Sequence, residues 1–199
     1  QSLRREMNTH FIFNSLNSVN QFIATNNELE ANQYLTKFSK LMRGVMENST
    51  EDFIPFSQEL DLLQNYLALE KTRFSDKFDY EIEVDENLIT QSLNVPGMLV
   101  QPFLENAVWH GLRYRTTKGF LKLKFEKSSE NLKITIEDNG IGIEESKKQK
   151  TEHQKNREGR GMKNTLERIT LLNDLYKKNI SSEITDKPNA NGVLVIIKI

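Results

Sequence analysis

The chain contains no cysteine, which excludes a disulfide framework and a thiolate metal site. It has no apolar run approaching the roughly 20 residues needed to span a bilayer, and residues 1–9 are too polar and charged for a secretory leader. No charge of one sign dominates. The formal net charge is -1, so the global basic field of a nucleic-acid binder is missing. Glycine and proline are scarce in the first part: residues 1–77 hold only Gly44 and Pro55. What is present is ordinary globular material, 37% apolar and 28% charged over 199 residues, enough for one large or two small domains with a core. The chain opens on Gln1 rather than Met; it reads as a fragment, from which a membrane segment could have been cut away upstream.

The first part reads as helix, helix, a break at Ser49 to Pro55, and a further helix from about Ser57. Pro55 ends the preceding helix at or before Ile54, and Glu59 and Asp61 place acids near the positive end of the next one. In the first helix Ile12, Leu16, Val19 and Ile23 recur at four, three and four. At 100° per residue they fall within about 60°, a stripe suited to a helix pair or dimer seam. His10 lies about 150° from the centre of that stripe, with Asn14 one turn later on the same side. From Phe78 the texture changes. Phe78 to Val84 alternates apolar and charged residues as a half-buried strand does. Pro96-Gly97 marks a turn, and Met98 to Leu112 reads as a helix that tolerates Pro102 only near its first turn. Phe120 to Phe125, Leu132 to Ile136, Ile180 to Ile184 and Val193 to Ile199 read as strands. Residues 144–160 are polar and read as a loop, followed by a helix from Met162 to about Lys178. The boundary is expected near Lys77, giving domains 1–77 and 78–199. The fold class expected is α+β: a helical hairpin, then a mixed sheet of about five strands with helices on one face.

Three segments carry chemistry. Asn106 and His110 are four apart on the helix expected over Met98 to Leu112 and so share a face. An Asn carbonyl is a neutral oxygen ligand suited to Mg²⁺, which takes its other ligands from water and phosphate. A His at the next turn could face a phosphate oxygen; two polar residues on a solvated helix face are the plain alternative. Asp138 ends a strand before Gly140 and Gly142. Its carboxylate can accept from an exocyclic amine, and the glycines permit close approach and positive φ; an Asp-Asn-Gly turn between strands is the plain alternative. Gly159 and Gly161 precede the helix expected from Met162, where backbone N–H groups can bind phosphate. A loop of no function is the alternative there. Four of the nine glycines fall in these two pairs.

In this order, the Asn segment Leu104 to Gly111, Glu137-Asp138-Asn139-Gly140-Ile141-Gly142-Ile143 and Gly159-Arg160-Gly161-Met162 resemble the GHKL (Bergerat) ATP-binding domain. The start, Asn8-Thr9-His10-Phe11-Ile12-Phe13-Asn14-Ser15-Leu16, resembles the phosphoacceptor region of LytS/YehU-type sensor histidine kinases, and Asn65-Tyr66-Leu67 and Arg73-Phe74 fit that family. The resemblance covers essentially the whole chain. It implies ATP and Mg²⁺ as cofactors, with Asn106 holding the metal, His110 near the phosphates and Asp138 recognising adenine. Gly140, Gly142, Gly159 and Gly161 would shape the pocket and lid. It implies His10 as the residue phosphorylated. Glu105, beside Asn106, is a candidate to orient or deprotonate His10, with a plain surface Glu as the alternative, and Asn14 is placed to support a phosphatase reaction. It further implies a homodimer, a response-regulator partner often of LytTR type, no direct nucleic-acid contact, and a cytoplasmic domain of a parent anchored in the inner membrane.

A neutral imidazole, unperturbed pKa near 6.5, already offers a nucleophilic nitrogen, so the transfer needs in-line positioning and charge neutralisation more than strong base catalysis. Three positions depart from the family pattern. Thr9 stands where Pro usually precedes the His, Phe11 stands where many histidine kinases carry an acid, and Val193 follows Gly192 where Thr is frequent. Two other functions compete: a pseudo-kinase interaction module that binds nucleotide only to set conformation, and a GHKL ATPase without a phosphohistidine. The motif around His10 argues against the second, which has no need of that residue.

Overall fold

The computed structural model describes residues 2–25, 27–48, 51–74, 77–89, 92–128, 131–149, 152–188 and 191–199; of these, the side chains of 2–11, 14, 89, 149 and 152–160 lie outside the description. The chain divides into two compact units, 1–73 with 94–98, and 74–93 with 99–199.

The first unit is built from three helices: α1 (Ser2–Ala24), α2 (Glu28–Glu47) and α3 (Phe56–Phe74). Asn27 caps α2 through its side chain, which accepts from the Glu30 N–H at 3.3 Å. Tyr34, Leu41 and Val45 of α2 and Leu62, Leu63, Tyr66, Leu67 and Leu69 of α3 are buried. The two helices approach closely at Gly44, where an added Cβ would stand 2.8 Å from Leu62. The stripe expected on α1 behaves unevenly: Val19 is buried, whereas Leu16 and Ile23 are 45% and 55% exposed. Between Asn48 and α3 the sequence signals only a break. The structure places a strand there, β1 (Phe53–Pro55), paired antiparallel with β3 (Asn94–Pro96), with Ile54 opposite Val95. Both strands end on proline, tolerable in so short a ribbon because neither need donate further.

The second unit contains the sheet. Its strands are β2 (Phe78–Val84), β4 (Gly119–Ser128), β5 (Asn131–Asp138), β6 (Ser181–Asp186) and β7 (Val193–Lys198), in spatial order β2-β4-β5-β7-β6. β2 runs parallel to β4 and the other pairings are antiparallel, so the mixed five-stranded sheet matches expectation. The parallel pair needs a crossover, supplied by residues 85–118, which include α4 (Glu86–Ile89) and α5 (Gln101–Asn106). Alternation sets the two faces. Leu121, Leu123, Phe125, Leu132, Ile134, Ile136, Val195 and Ile197 are buried. On the opposite face Lys122 bonds Glu83 at 2.6 Å and Lys124 pairs with Glu126 at 2.8 Å. These ion pairs are a third or more exposed and contribute little to stability; the sheet is held by its apolar face.

Two expectations are corrected. The polar stretch 144–160 is not a loop: its described part lies in α6 (Ile143–Gln149) and α7 (Glu152–Tyr176). The later helix therefore begins ten residues before Met162. Glu, Gln, Lys and Arg are good helix formers even without an apolar stripe, and that propensity, rather than periodicity, governs here. Among the described residues no helix is long and apolar enough to cross a membrane.

Candidate functional site

The site is best approached from Asp138, the last residue of β5. Only 3% of it is exposed. The Gly140 N–H donates to its Oδ1 at 2.7 Å, and the Val193 N–H donates to the same carboxylate. Burial nevertheless outweighs these bonds and the nearby Lys187 charge, and raises its pKa from 3.8 to about 6. A carboxylate this desolvated is costly to keep ionised unless a ligand donates to it.

Glycines make that burial possible. At Gly140 a Cβ would lie 2.6 Å from the backbone of Gly111 and 2.7 Å from Asp138 Oδ1. At Gly192, φ is +102° and a Cβ would stand 2.0 Å from the Asp138 carbonyl oxygen. Gly142 has φ +80°, the left-handed conformation that glycine adopts freely. Three backbones thus converge on Asp138: the loop after β5, the turn before β7 and the helix end at Gly111. The Ile141 N–H donates to Gly111 O at 3.4 Å and ties two of them. Asn139, which reads in sequence as half of a turn signal, accepts from the Phe120 N–H at 2.7 Å through its side chain. Arg115 donates to the Asn139 carbonyl and, at 2.8 Å, to Thr117 Oγ1. Lys187 bonds Glu137 at 2.6 Å, and Asp186 accepts from the Ile143 N–H at 2.8 Å where α6 starts.

Gly111 closes the Asn helix. α5 begins with Pro102 in its first turn, where the missing N–H is harmless. After Asn106 the helix widens into a π turn, Ala107–Gly111, in which the Leu112 N–H reaches back to Ala107 O. Single π turns of this kind concentrate at functional sites. Glu105, Asn106 and His110 are half-buried, whereas Phe103, Leu104 and Val108 beside them are buried. Four residues remain close to one turn in the widened helix as in a regular one, so the π turn leaves Asn106 and His110 near a common face. The outer end is held by aromatic contacts. Trp109 meets Phe74 edge-on at 5.0 Å, and Arg113 lies over Trp109 and Tyr114 at 5.3 and 4.7 Å.

The structure therefore gathers Asp138 and Gly140 against the end of the helix that bears Asn106 and His110, with Gly142 completing the loop. Gly111, the end of the Asn segment, and Gly192, the late glycine before Val193, belong to the same knot, although sequence alone does not show that they meet. Gly159 and Gly161 fall inside α7 rather than before a helix start, so the expected ring of helix-terminal N–H groups is not formed there. An added Cβ at Gly161 would meet nothing within 4 Å. His10 and Asn14 belong to α1 by backbone, but their side chains lie outside the described residues, as does local detail at Gly159. No cluster of three or more His, Cys, Asp or Glu suited to a metal occurs among the described residues. A divalent cation here would depend on Asn106 together with ligand oxygens.

The chain is similar to known proteins in sequence and in fold. A family model described as Histidine kinase matches residues 1–78. The sensor protein LytS of Oceanobacillus iheyensis is 33% identical over 145 residues, 73% of this chain and 24% of that protein. The sensor histidine kinase YpdA of Escherichia coli is 30% identical over 72% of this chain and 25% of its own length. YesM of Bacillus subtilis, also a sensor histidine kinase, is 24% identical over 100% of the chain and 33% of its own length. The chain thus spans about a quarter to a third of these relatives. Among solved structures, the histidine kinase domain of the blue-light-activated kinase from Erythrobacter litoralis superposes with a TM-score of 0.51 at 16% identity, covering 100% of this chain and 94% of that one. A bacterial phosphotransferase superposes at 0.53 with 12% identity, covering 98% and 94%. At such identities the likeness shows the fold alone.

Proposed function

The chain belongs to the histidine kinase family, and from that premise we propose that it is the ATP-dependent protein-histidine kinase core of a two-component sensor of LytS type. The observation that carries the proposal is the desolvated Asp138 carboxylate enclosed by glycine backbone, a site that gains most from a ligand donor such as the exocyclic amine of adenine. Asn106, half-buried on the π-widened helix, offers the neutral oxygen that Mg²⁺ accepts alongside phosphate oxygens. When bound, the ion would neutralise charge on the phosphates during transfer. His110 faces the phosphates in this reading, and Gly159 and Gly161, inside α7, contribute by keeping its surface free of side chains rather than by helix-terminal N–H groups.

His10 is the acceptor in this reading. A lone pair of its neutral imidazole attacks the γ-phosphorus as the bond from that phosphorus to the β–γ bridging oxygen breaks, and ADP departs with the electron pair. The phosphorylated ring then loses its second-nitrogen proton, for which Glu105 is the proposed acceptor. Asn14 is assigned to a separate phosphatase reaction, in which water takes the phosphoryl group. The phosphoryl group passes to an aspartate of a response regulator, of LytTR type in this proposal. Exposed Phe13, Leu16, Ile23, Leu29 and Met46 suit a homodimer of the helical unit, and the parent protein is proposed to be anchored in the inner membrane with this part in the cytoplasm.

The test is incubation with Mg²⁺ and γ-labelled ATP. Acid-labile, base-stable label on the chain, lost in His10→Gln, is the expected result. Bound ATP without label would establish the pseudo-kinase instead, and phosphate release independent of His10 the plain ATPase.

A further inference from the structure

The second polar centre of the molecule lies in the helical unit. Arg73, in the last turn of α3, is buried to 7% side-chain exposure against Glu70, which has none. Its guanidinium donates to four acceptors on three helices: Glu70 Oε1 at 2.8 Å, Tyr34 OH at 2.7 Å, Ser18 Oγ at 2.7 Å and Ser15 Oγ at 3.2 Å. Tyr34 is fully buried, and Ser15 and Ser18 are buried polar residues of α1.

Such a cluster is poor evidence for stability, because apolar side chains of like volume hold helices together at least as well. Its distinguishing property is direction. Ser15 and Ser18 lie one helical turn apart on one line of α1, so a fork that bonds both reads the azimuth and the height of that helix together. A slip of one residue would turn the line by about 100° and remove both bonds. Apolar packing specifies α1 weakly by comparison. Val19 is buried, yet Phe13, Leu16 and Ile23 are all exposed, so several settings of the helix would bury similar area.

We propose that Arg73 is a positioning residue: it pins the rotational register of α1 through Ser15 and Ser18 and so sets how the phosphoacceptor helix presents His10. This deepens, and rests on, the reading of His10 as acceptor. A helix is stiff over five residues, so the register fixed at Ser15 is inherited at His10. In-line transfer is sensitive to that setting, and a displacement near 1 Å can reduce rate about a hundredfold.

Two variants test it, each in the full chain with saturating Mg²⁺-ATP. Arg73→Lys keeps the charge but loses the planar fork. The pair Ser15→Ala and Ser18→Ala removes only the α1 side and leaves Arg73 bonded to Tyr34 and Glu70, so the fold is retained. In both, labelling of His10 is expected to slow by roughly a hundredfold while KM for ATP is unchanged, a split that general unfolding would not produce. Because the chain has no native cysteine, Val19→Cys gives a second readout. Its maleimide reaction, slow in the parent, is expected to accelerate in both variants. Labelling at the parent rate, or an unaltered maleimide rate, overturns the pin. Absence of label in the unsubstituted chain is a different result, which removes the kinase reading; the maleimide rates then still decide whether Arg73 sets the helix.

Discussion

Replacing Asp138 with Asn separates the energetic cost of the site from its use. The carboxylate pKa stands at about 6 in the fold against 3.8 as the ordinary value, raised chiefly by burial. The sign follows from proton binding. Between about pH 4 and pH 6 the native state holds a proton that the unfolded chain releases, so this group's contribution is full below pH 4 and is lost as pH rises through 6. A difference of about two units corresponds to roughly 3 kcal/mol of destabilisation at pH 7 and above. Other carboxylates run the opposite way, since Asp85, Glu126 and Glu144 have lowered values from their hydrogen-bonded partners. The informative quantity is therefore the difference between parent and Asp138→Asn, measured by denaturant titration at steps from pH 4 to 8. The parent should lose about 3 kcal/mol relative to the variant across that window, equivalent to roughly 6–12 °C in thermal midpoint for a chain of this size. In parallel, ATP affinity of the parent should fall about tenfold per unit below pH 6, as the acceptor becomes protonated, and Asp138→Asn should bind weakly at every pH. Parallel stability profiles for the two proteins would refute the desolvation argument, and a flat affinity from pH 5 to 8 would refute the role in binding.

Three further outcomes follow from the backbone. Gly161→Ala should stabilise the chain by about 1 kcal/mol, because the position is helical and its Cβ direction is open, yet reduce His10 labelling; unchanged labelling would remove Gly161 from the nucleotide site. Gly192→Ala should destabilise by at least roughly 2–3 kcal/mol through its positive φ and the overlap with the Asp138 carbonyl, and a parent-like denaturation midpoint would contradict that geometry. Asn106→Asp should lower labelling about tenfold, the equivalent of 1.4 kcal/mol, without moving the thermal midpoint; unaltered labelling across a Mg²⁺ titration would cancel the metal assignment.

Much of the fold is legible along the chain because its signals are local. β2 and β4 alternate cleanly, so their faces and the mixed sheet follow from residues two apart. β1 and β3 were not readable: each has three residues, each ends on a proline that signals a break, and their partnership spans some forty positions. The segment 144–160 hid its helices for a different reason. It lacks an apolar stripe, and its glycines look like punctuation, whereas its Glu, Gln and Lys content favours helix without any pattern. At the site, Asp138 and Gly140 are marked by their own sequence, but the crowding by Gly111 and Gly192 arises only when three distant backbones meet.

The two units solve the problem of specifying structure differently, and the difference bears on their roles. The sheet unit buries a continuous apolar face, from Phe78 through Phe125 to Ile197, and such a core can carry a desolvated carboxylate and close glycine contacts without losing its fold. In the proposed function, nucleotide binding would relieve a cost that the sheet unit already carries. Among the described side chains of α1 there is no such reserve, since Val19 is buried whereas Phe13, Leu16 and Ile23 are exposed. There a single guanidinium directed at Ser15, Ser18 and Tyr34 supplies the specificity that area does not. A helix specified by a few directional bonds can be reset by a small push along or around its axis, which is the property a signalling helix requires, whereas a sheet fixed by area cannot.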